Sequence, residues 1–401
     1  MLDAVDDLIE TRVRPAARRI DTEAAFFPDL LAEAARLGLQ RILHDDAGSL
    51  DASRMDLARE VTERISVHSP AVALGIAGSR LSAYLLAKYA PAHVARRWLE
   101  PALDARAYGS FAITEPDAGT DVRALSTVAV PDGHDYLLSG HKCWVGFAPV
   151  ADFAIVLAKL GTADRDAPMA ALVVDLAAPG ATGRPGPELS GFRGMPNGEL
   201  LFDGVRVPAA DRLDVEGFAG MMDGLNMARI DAAAYACGLL RGSLLAGLAR
   251  ANARQAFGRP IGDLAIIQRK LGRMAADYRA ARELTRRAAQ SFARGGGGDQ
   301  DVVSMAKMFA ADAARRHTDE AMQIHGALGV VVGEDVNRMH RDAKVTQIFD
   351  GTSEIHETML GRRALRMLAR GEPLTAFVDD GADDDPYLAP RPAASILEDR
   401  P

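Results

Sequence analysis

The chain has 401 residues, with 47 Lys and Arg against 55 Asp and Glu, and a formal net charge of -8. Neutralising phosphates takes a basic face, and none can be read here, so the balance argues against a nucleic-acid role. With 48% hydrophobic and 25% charged residues the composition is that of a soluble globular protein, long enough to divide into two or three domains.

The N-terminus, MLDAVDDLIE, is acidic, which fits neither a secretory signal nor a transit peptide. Residues 1–107 read as helical: Phe27, Leu30, Leu31, Ala34 and Leu37 recur at helical spacing. Ala71 to Tyr89 forms a second apolar helix, which Arg80 and Lys88 mark as a buried core helix instead of a membrane span. Over residues 108–215 the texture changes to short β-rich runs separated by Gly, Pro and Asp clusters, the pattern of an antiparallel barrel or sandwich. Residues 216–372 return to helices, near Gly220–Asn252, Leu264–Arg294, Asp301–Leu328 and Thr352–Arg370, with Gly295 to Gly298 as a loop because four glycines do not hold a helix. The acidic, proline-bearing residues 373–401 read as a disordered tail. The expected fold is therefore α+β and mainly α: a helical domain, a β-barrel and a helical bundle. Cys143 and Cys237 lie far apart with no metal-ligand spacing near them, so no metal site is expected and a reducing cytoplasm fits.

Five stretches are candidates for chemistry. "FAITEPDAGTDV", Phe111 to Val122, is a strand entering a turn that can offer backbone N–H groups and the hydroxyls of Thr114 and Thr120 to a heteroaromatic ring or a phosphate; it can equally be a plain polar turn. "SGHKCWVGF", Ser139 to Phe147, puts Trp144 in a strand, where a tryptophan is either a stacking platform or core. "RQAFGRPIG", Arg254 to Gly262, places two arginines about a tight turn, either a pyrophosphate clamp or a solvated helix connection. "QIHGALGV", Gln323 to Val330, ends a helix with glycines that permit capping or close approach to a ligand. In "TQIFDGTSEIH", Thr346 to His356, a β-rich apolar run meets an Asp-Gly break and a helix start. Asp350 there either complements the positive end of that helix, which favours its anion, or is a general base whose basicity burial beside Phe349 raises.

In content and order these motifs, continued by "RDAKVTQIFDGTSEI", resemble the acyl-CoA dehydrogenase family of flavoproteins over nearly the whole chain. The resemblance implies FAD held between a helical domain, a β-barrel and a C-terminal four-helix bundle, in a homo-oligomer built as a dimer of dimers. It implies that Phe111, Ile113, Thr114, Gly119 and Thr120 lie along the flavin, that Trp144 covers one face of it, and that Gly146 stands at its N5. Arg254 and Phe257 would reach the FAD of a neighbouring subunit and Gln323, Ile324 and Gly326 the adenosine part of that shared cofactor, while Thr352 and Glu354 would lie near the flavin's phosphates and ribose. Gly351 and the Glu354 N–H would serve the substrate, and Arg229 either the substrate or the structure around it. The implied reaction is α,β-dehydrogenation of an acyl thioester, carried by CoA or a carrier protein, with an electron-transfer flavoprotein or oxygen as acceptor.

The chain departs from the family pattern where the usual glutamate is Asp350. The alternative glutamate position beside Arg229 holds Ala228, so Asp350 is the one motif-supported base. Gly146 stands where a threonine is common, Leu264 and Ala265 replace an aromatic and a glutamine, and "RILHDDAGSLD", Arg41 to Asp51, lacks the usual Pro-Glu-aromatic-Gly-Gly segment. An aspartate base is also a feature of nitroalkane-oxidising relatives, which makes a flavin oxidase the rival enzyme; a catalytically silent FAD-binding member is the rival from another class.

Overall fold

The computed structural model describes residues 1–45, 49–215, 217–372 and 377. The tail assigned to disorder lies outside them except for Phe377, as does part of the Arg41 to Asp51 loop. Six helices open the chain: α1 (Leu2–Leu8), joined by a π-helical turn to α2 (Arg14–Glu23), α3 (Pro28–Arg36), α4 (Met55–Ser66), α5 (Pro70–Tyr89) and α6 (Ala92–Leu103). Pro70 at the first position of α5 needs no N–H partner, and the Ser69 hydroxyl accepts from the Val72 N–H, so the helix starts there. It is apolar and buried round its circumference as far as Leu86, with Lys88 exposed in the last turn, and Arg80 is tolerated within it by an ion pair to Asp231 at 2.6 Å, sealed from solvent. Of the two helices among the described residues long and apolar enough to cross a membrane, α5 has 78% of the relevant window buried within the protein and Met222–Ala253 has 67%, so both are core helices here.

Seven strands follow: β1 (Gly109–Ala112), β2 (Val128–Asp132), β3 (Asp135–Gly146), β4 (Phe153–Leu160), β5 (Met169–Asp175), β6 (Ala181–Pro185) and β7 (Asn197–Pro208). They form one curled sheet, but not an all-antiparallel one. β1 and the start of β2 lie end to end along one edge of β4, both parallel to it, while β5 runs antiparallel along the other edge. The remaining pairs, β2 with β3, β3 with β7 and β7 with β6, are antiparallel. Strand alternation divides the core. Phe153, Ile155, Leu157, Ala171 and Val173 face the helices, while Ala154, Val156, Ala158, Leu172 and Val174 fill the sheet's own interior. The β4 sequence, FAIVLAKL, is apolar but for Lys159, whose buried ammonium donates to the Ala163 carbonyl, because both faces are covered.

After a short α7 (Gly217–Gly220) the bundle is built from α8 (Met222–Ala253), α9 (Ala265–Ala293), α10 (Gln300–His325), α11 (Asp335–Thr346) and α12 (Ser353–Ala369), with a hairpin of β8 (Gln255–Ala256) and β9 (Arg259–Pro260) between α8 and α9. The apolar run at Thr346 to Phe349, read from sequence as β-rich, is the last turn of α11 winding on: the Ile348 and Phe349 N–H groups both donate to the Val345 carbonyl. Strand preference is overridden there by the packing of α11 onto α10, a tertiary effect that local pattern does not carry.

Candidate active site

Two elements of the β layer build the first half of the site. Lys142 and Val145 on β3 are three residues apart while their β7 partners, Leu200 and Gly198, are two apart, so β3 carries a bulge. The bulge puts Trp144 at φ 58° and turns its side chain outward, 57% exposed, which removes it from the core that a strand tryptophan usually joins. Alongside it runs the loop after β1, fixed by the Cys143 N–H donating to the Thr114 carbonyl at 3.0 Å. A buried ion pair anchors that loop. Glu115 Oε1 accepts from Lys142 Nζ at 2.8 Å and from the Thr127 N–H, and Oε2 accepts from the Ser126 N–H and hydroxyl. Lys142 Nζ also donates to the Ile113 carbonyl. Burial pushes the Glu115 carboxyl up, but the charge of Lys142 and these donors outweigh it and hold it down at about 2. Next to Trp144 lies a groove of about 240 Å³ lined by Pro116, Cys143, Pro187, Asn197, Gly198 and Glu199, among others.

The second half is the turn between α11 and α12. Thr352 caps α12, its hydroxyl accepting from the Ile355 N–H, so Asp350 is not the cap. Asp350 instead occupies the left-handed region at φ 55°, and Gly351 follows at φ 99°. A non-glycine residue there carries strain of about 1–3 kcal/mol and persists only where its surroundings impose it. Four anchors do so. The Ser353 N–H closes the loop onto the Gln347 carbonyl, and Asp312 on α10 accepts from both the Gln347 amide and the Ser353 hydroxyl. Arg229 on α8 donates Nε to the Asp350 carbonyl at 3.1 Å, and Lys307 on α10 donates to the Gly351 carbonyl. A Cβ added to Gly351 would lie 3.0 Å from Nε2 of His356, a fully buried ring.

Held this way, the Asp350 carboxylate has no hydrogen-bond partner among the described residues, and the residue keeps a partly open face. Burial raises its carboxyl to about 6 against the pull of Lys307 and Arg229, with Asp231 adding to the rise. A carboxylate tuned toward neutral pH and free of internal partners can accept a proton from a bound molecule. Phe349 fixes the preceding position, its ring 5.5 Å from Phe192 and 6.1 Å from Tyr235. The Glu354 N–H, in the first turn of α12, finds no backbone carbonyl and turns toward its own carboxylate, which that contact and the Thr352 hydroxyl hold below the usual range, so a substrate carbonyl would take the place of that side chain.

The sequence candidates thus fall into three places. Phe111, Ile113, Thr114, Gly119, Thr120, Trp144 and Gly146 share the β-layer face; Arg229, Asp350, Gly351, Thr352 and Glu354 share the α11–α12 turn. Arg254, Phe257, Gln323, Ile324 and Gly326 stand apart from both. At about 1.5 Å per residue, Arg254 is roughly 37 Å along α8 from Arg229. Phe257, at the hairpin tip with φ 54°, is 91% exposed. The side chains of Thr114, Thr120, Trp144, Arg254 and Gln323 make no hydrogen bond among the described residues, and at Gly146 an added Cβ would meet only Met195, at 3.7 Å. Free hydroxyl, indole, amide and guanidinium donors beside an exposed aromatic plane are the donor set that a flavin dinucleotide needs. Sequence reasoning missed Lys307 and His356, which sit within helical patterns that look like ordinary amphipathic spacing; the one signal for Lys307 is a lysine among the apolar residues of "VVSMAKMFAA".

Comparison with known proteins is consistent along the chain. Residues 1–106, 110–205 and 215–365 match the family models described as the acyl-CoA dehydrogenase N-terminal, middle and C-terminal domains. A cyclohexane-1-carbonyl-CoA dehydrogenase of Geobacter metallireducens is 32% identical over 361 residues, covering 89% of this chain and 94% of that protein. Among solved structures, butyryl-CoA dehydrogenase from Megasphaera elsdenii superposes with a TM-score of 0.85 at 28% identity, covering 91% of this chain and 97% of that one. A glutaryl-coenzyme A dehydrogenase in complex with glutaryl-CoA gives 0.86 at 30% identity, covering 91% and 94%.

Proposed function

The chain belongs to the acyl-CoA dehydrogenase family of CH–CH oxidoreductases, and from that premise we propose that it dehydrogenates an acyl thioester between the α and β carbons, with Asp350 as the base. The observation that carries this reading is the pinned turn: a partnerless carboxylate at φ 55°, raised to about 6, with its partly open face available to substrate. FAD, when bound, supplies the acceptor for the β-hydride. Trp144, Thr114, Thr120 and the loop from Phe111 would hold its ring system, and Thr352 and Glu354 its ribose and phosphates. Arg254, Phe257, Gln323, Ile324 and Gly326 would serve the cofactor of a second copy, since one chain holds them a bundle's length from the base.

The chain's own residues account for the proton. Asp350 removes it from the α-carbon while the Glu354 N–H donates to the thioester carbonyl, where negative charge develops; such a donor is worth about 10²–10³ in rate. Arg229 acts on the turn, through the Asp350 carbonyl. An aspartate reaches roughly 1 Å less far than a glutamate, and misplacement on that scale costs about a hundredfold unless the substrate sits correspondingly nearer. The substrate is therefore expected to differ from the straight-chain acyl-CoAs suited to a glutamate. Because one relative is named for an alicyclic thioester, the test is anaerobic flavin bleaching by a panel of straight, α-branched and alicyclic acyl-CoAs, acyl-carrier conjugates and nitroalkanes. Bleaching by thioesters supports the reading; bleaching by nitroalkanes alone, with peroxide formed in air, would replace it with the oxidase.

A further inference from the structure

Lys307 is fully buried on α10, and no carboxylate lies within ion-pair distance of it among the described residues. An unpaired buried ammonium is costly, and a fold keeps one only where it has work to do. Its bond goes to the carbonyl of Gly351, the residue next to Asp350, and the same helix holds both ends of the loop through Asp312. Arg229, the other cation at the turn, differs in that its guanidinium is shared between the Asp350 carbonyl and Asn226 Oδ1.

We propose that Lys307 is the positioning residue of the base: its ammonium clamps the Asp-Gly turn in its left-handed form, and its charge, shut away from water, keeps the Asp350 carboxylate ionised at neutral pH. The inference rests on the reading of Asp350 as the base. The charged and titratable groups around the carboxyl are Arg229, Asp231 and Tyr235 on α8, Lys307 and Asp312 on α10, and Glu354 and His356 on α12. Of these His356 is neutral, pushed down to about 4 by burial and by Arg229 and Lys307. Asp231 is engaged with Arg80 and Thr62, and Asp312 with Gln347 and Ser353. Lys307 and Arg229 are thus the two groups that can hold Asp350 ionised.

Lys307→Gln keeps a donor for the Gly351 carbonyl and removes the charge, Lys307→Met removes both, and Lys307→Arg keeps the charge. The readouts on FAD-loaded protein are the acidic limb of anaerobic flavin reduction and the infrared titration of the carboxyl band that Asp350→Asn abolishes. Losing the nearest buried cation acting on a carboxyl raises it by about one unit or more. Both readouts should move up by that amount in Lys307→Gln and Lys307→Met and stay near the parent value in Lys307→Arg, with a further loss of rate in Lys307→Met from the loosened turn. An unmoved limb and carboxyl band in Lys307→Gln would overturn the proposal. Loss of FAD or of the fold in both uncharged variants would overturn it too, since it requires the cofactor site to survive without the charge. If Asp350→Asn itself reduces flavin as fast as the parent, it is the base assignment that fails.

Discussion

Replacing Lys142 by Met would leave Glu115 as a buried carboxylate without its cation. Both side chains are almost completely shielded, at 0% and 2% exposure. Breaking such a pair costs about 3–5 kcal/mol, because the remaining charge is desolvated without compensation. The partners' own shifts run opposite ways: the Glu115 carboxyl falls from 4.5 to about 2, whereas burial brings the Lys142 ammonium down to about 8, so the cost is that of stranding the charge and the acid-side pH dependence is Glu115's contribution. Because the folded-state carboxyl lies below its unfolded value, this contribution is present above about pH 4.5 and is lost as the pH falls toward 2. The assay is denaturant unfolding followed by tryptophan fluorescence, since Trp144 lies in the β3 bulge beside the pair and Trp98 stacks on Phe153 of β4. Lys142→Met should lose several kcal/mol at neutral pH and retain less FAD, through release of the loop after β1. Adding Glu115→Gln, which removes the stranded charge and keeps an acceptor for the Ser126 and Thr127 N–H groups, should recover at least half of the loss. A cost under about 1 kcal/mol, or a double variant no better than the single one, would refute the view that this pair fixes the loop.

The rate of flavin reduction should fall as the pH drops through about 6, because the Asp350 carboxyl, raised by burial, must be ionised to take a proton; a stopped-flow pH profile checks this. Gly351→Ala meets both a φ of 99° and His356 Nε2 at 3.0 Å, so it should slow reduction about a hundredfold through displacement of Asp350 while FAD remains bound, as read by absorbance and single-turnover kinetics. Phe257→Ala, at a position 91% exposed, should change unfolding free energy by less than about 0.5 kcal/mol yet lower FAD retention and the assembly mass measured by light scattering.

Helices with a strong face or a continuous apolar run were legible in the sequence: α5, α8, α9, α10 and α12 stand where periodicity and the glycine loop put them. The sheet was legible as strands but not in its pairing, since the parallel docking of β1 and β2 on β4 is a long-range choice that alternation does not encode. α11 was hidden because its last turn, Thr346 followed by Gln347, Ile348 and Phe349, is rich in residues that favour strands. At the candidate site, Asp350 could be singled out but not decided, because helix cap and base share one sequence pattern; the left-handed φ and the capping hydroxyl of Thr352 separate them. Trp144 was ambiguous for a similar reason, since a bulge that turns a strand residue outward leaves no trace in composition. Lys307 was invisible: its meaning depends on the Gly351 carbonyl, more than forty residues away in the chain.

The central claim is that Asp350 takes the α-proton of an acyl thioester, and its most direct test is rapid anaerobic mixing of FAD-loaded parent and Asp350→Asn with α-deuterated and unlabelled forms of whichever acyl-CoA bleaches the parent. A positioned general base contributes about 10²–10⁴ in rate. The parent should show a primary isotope effect on flavin reduction, and Asp350→Asn, with FAD still bound, should be slower by a factor in that range. Reduction of Asp350→Asn within about threefold of the parent, with the isotope effect unchanged, would contradict the account.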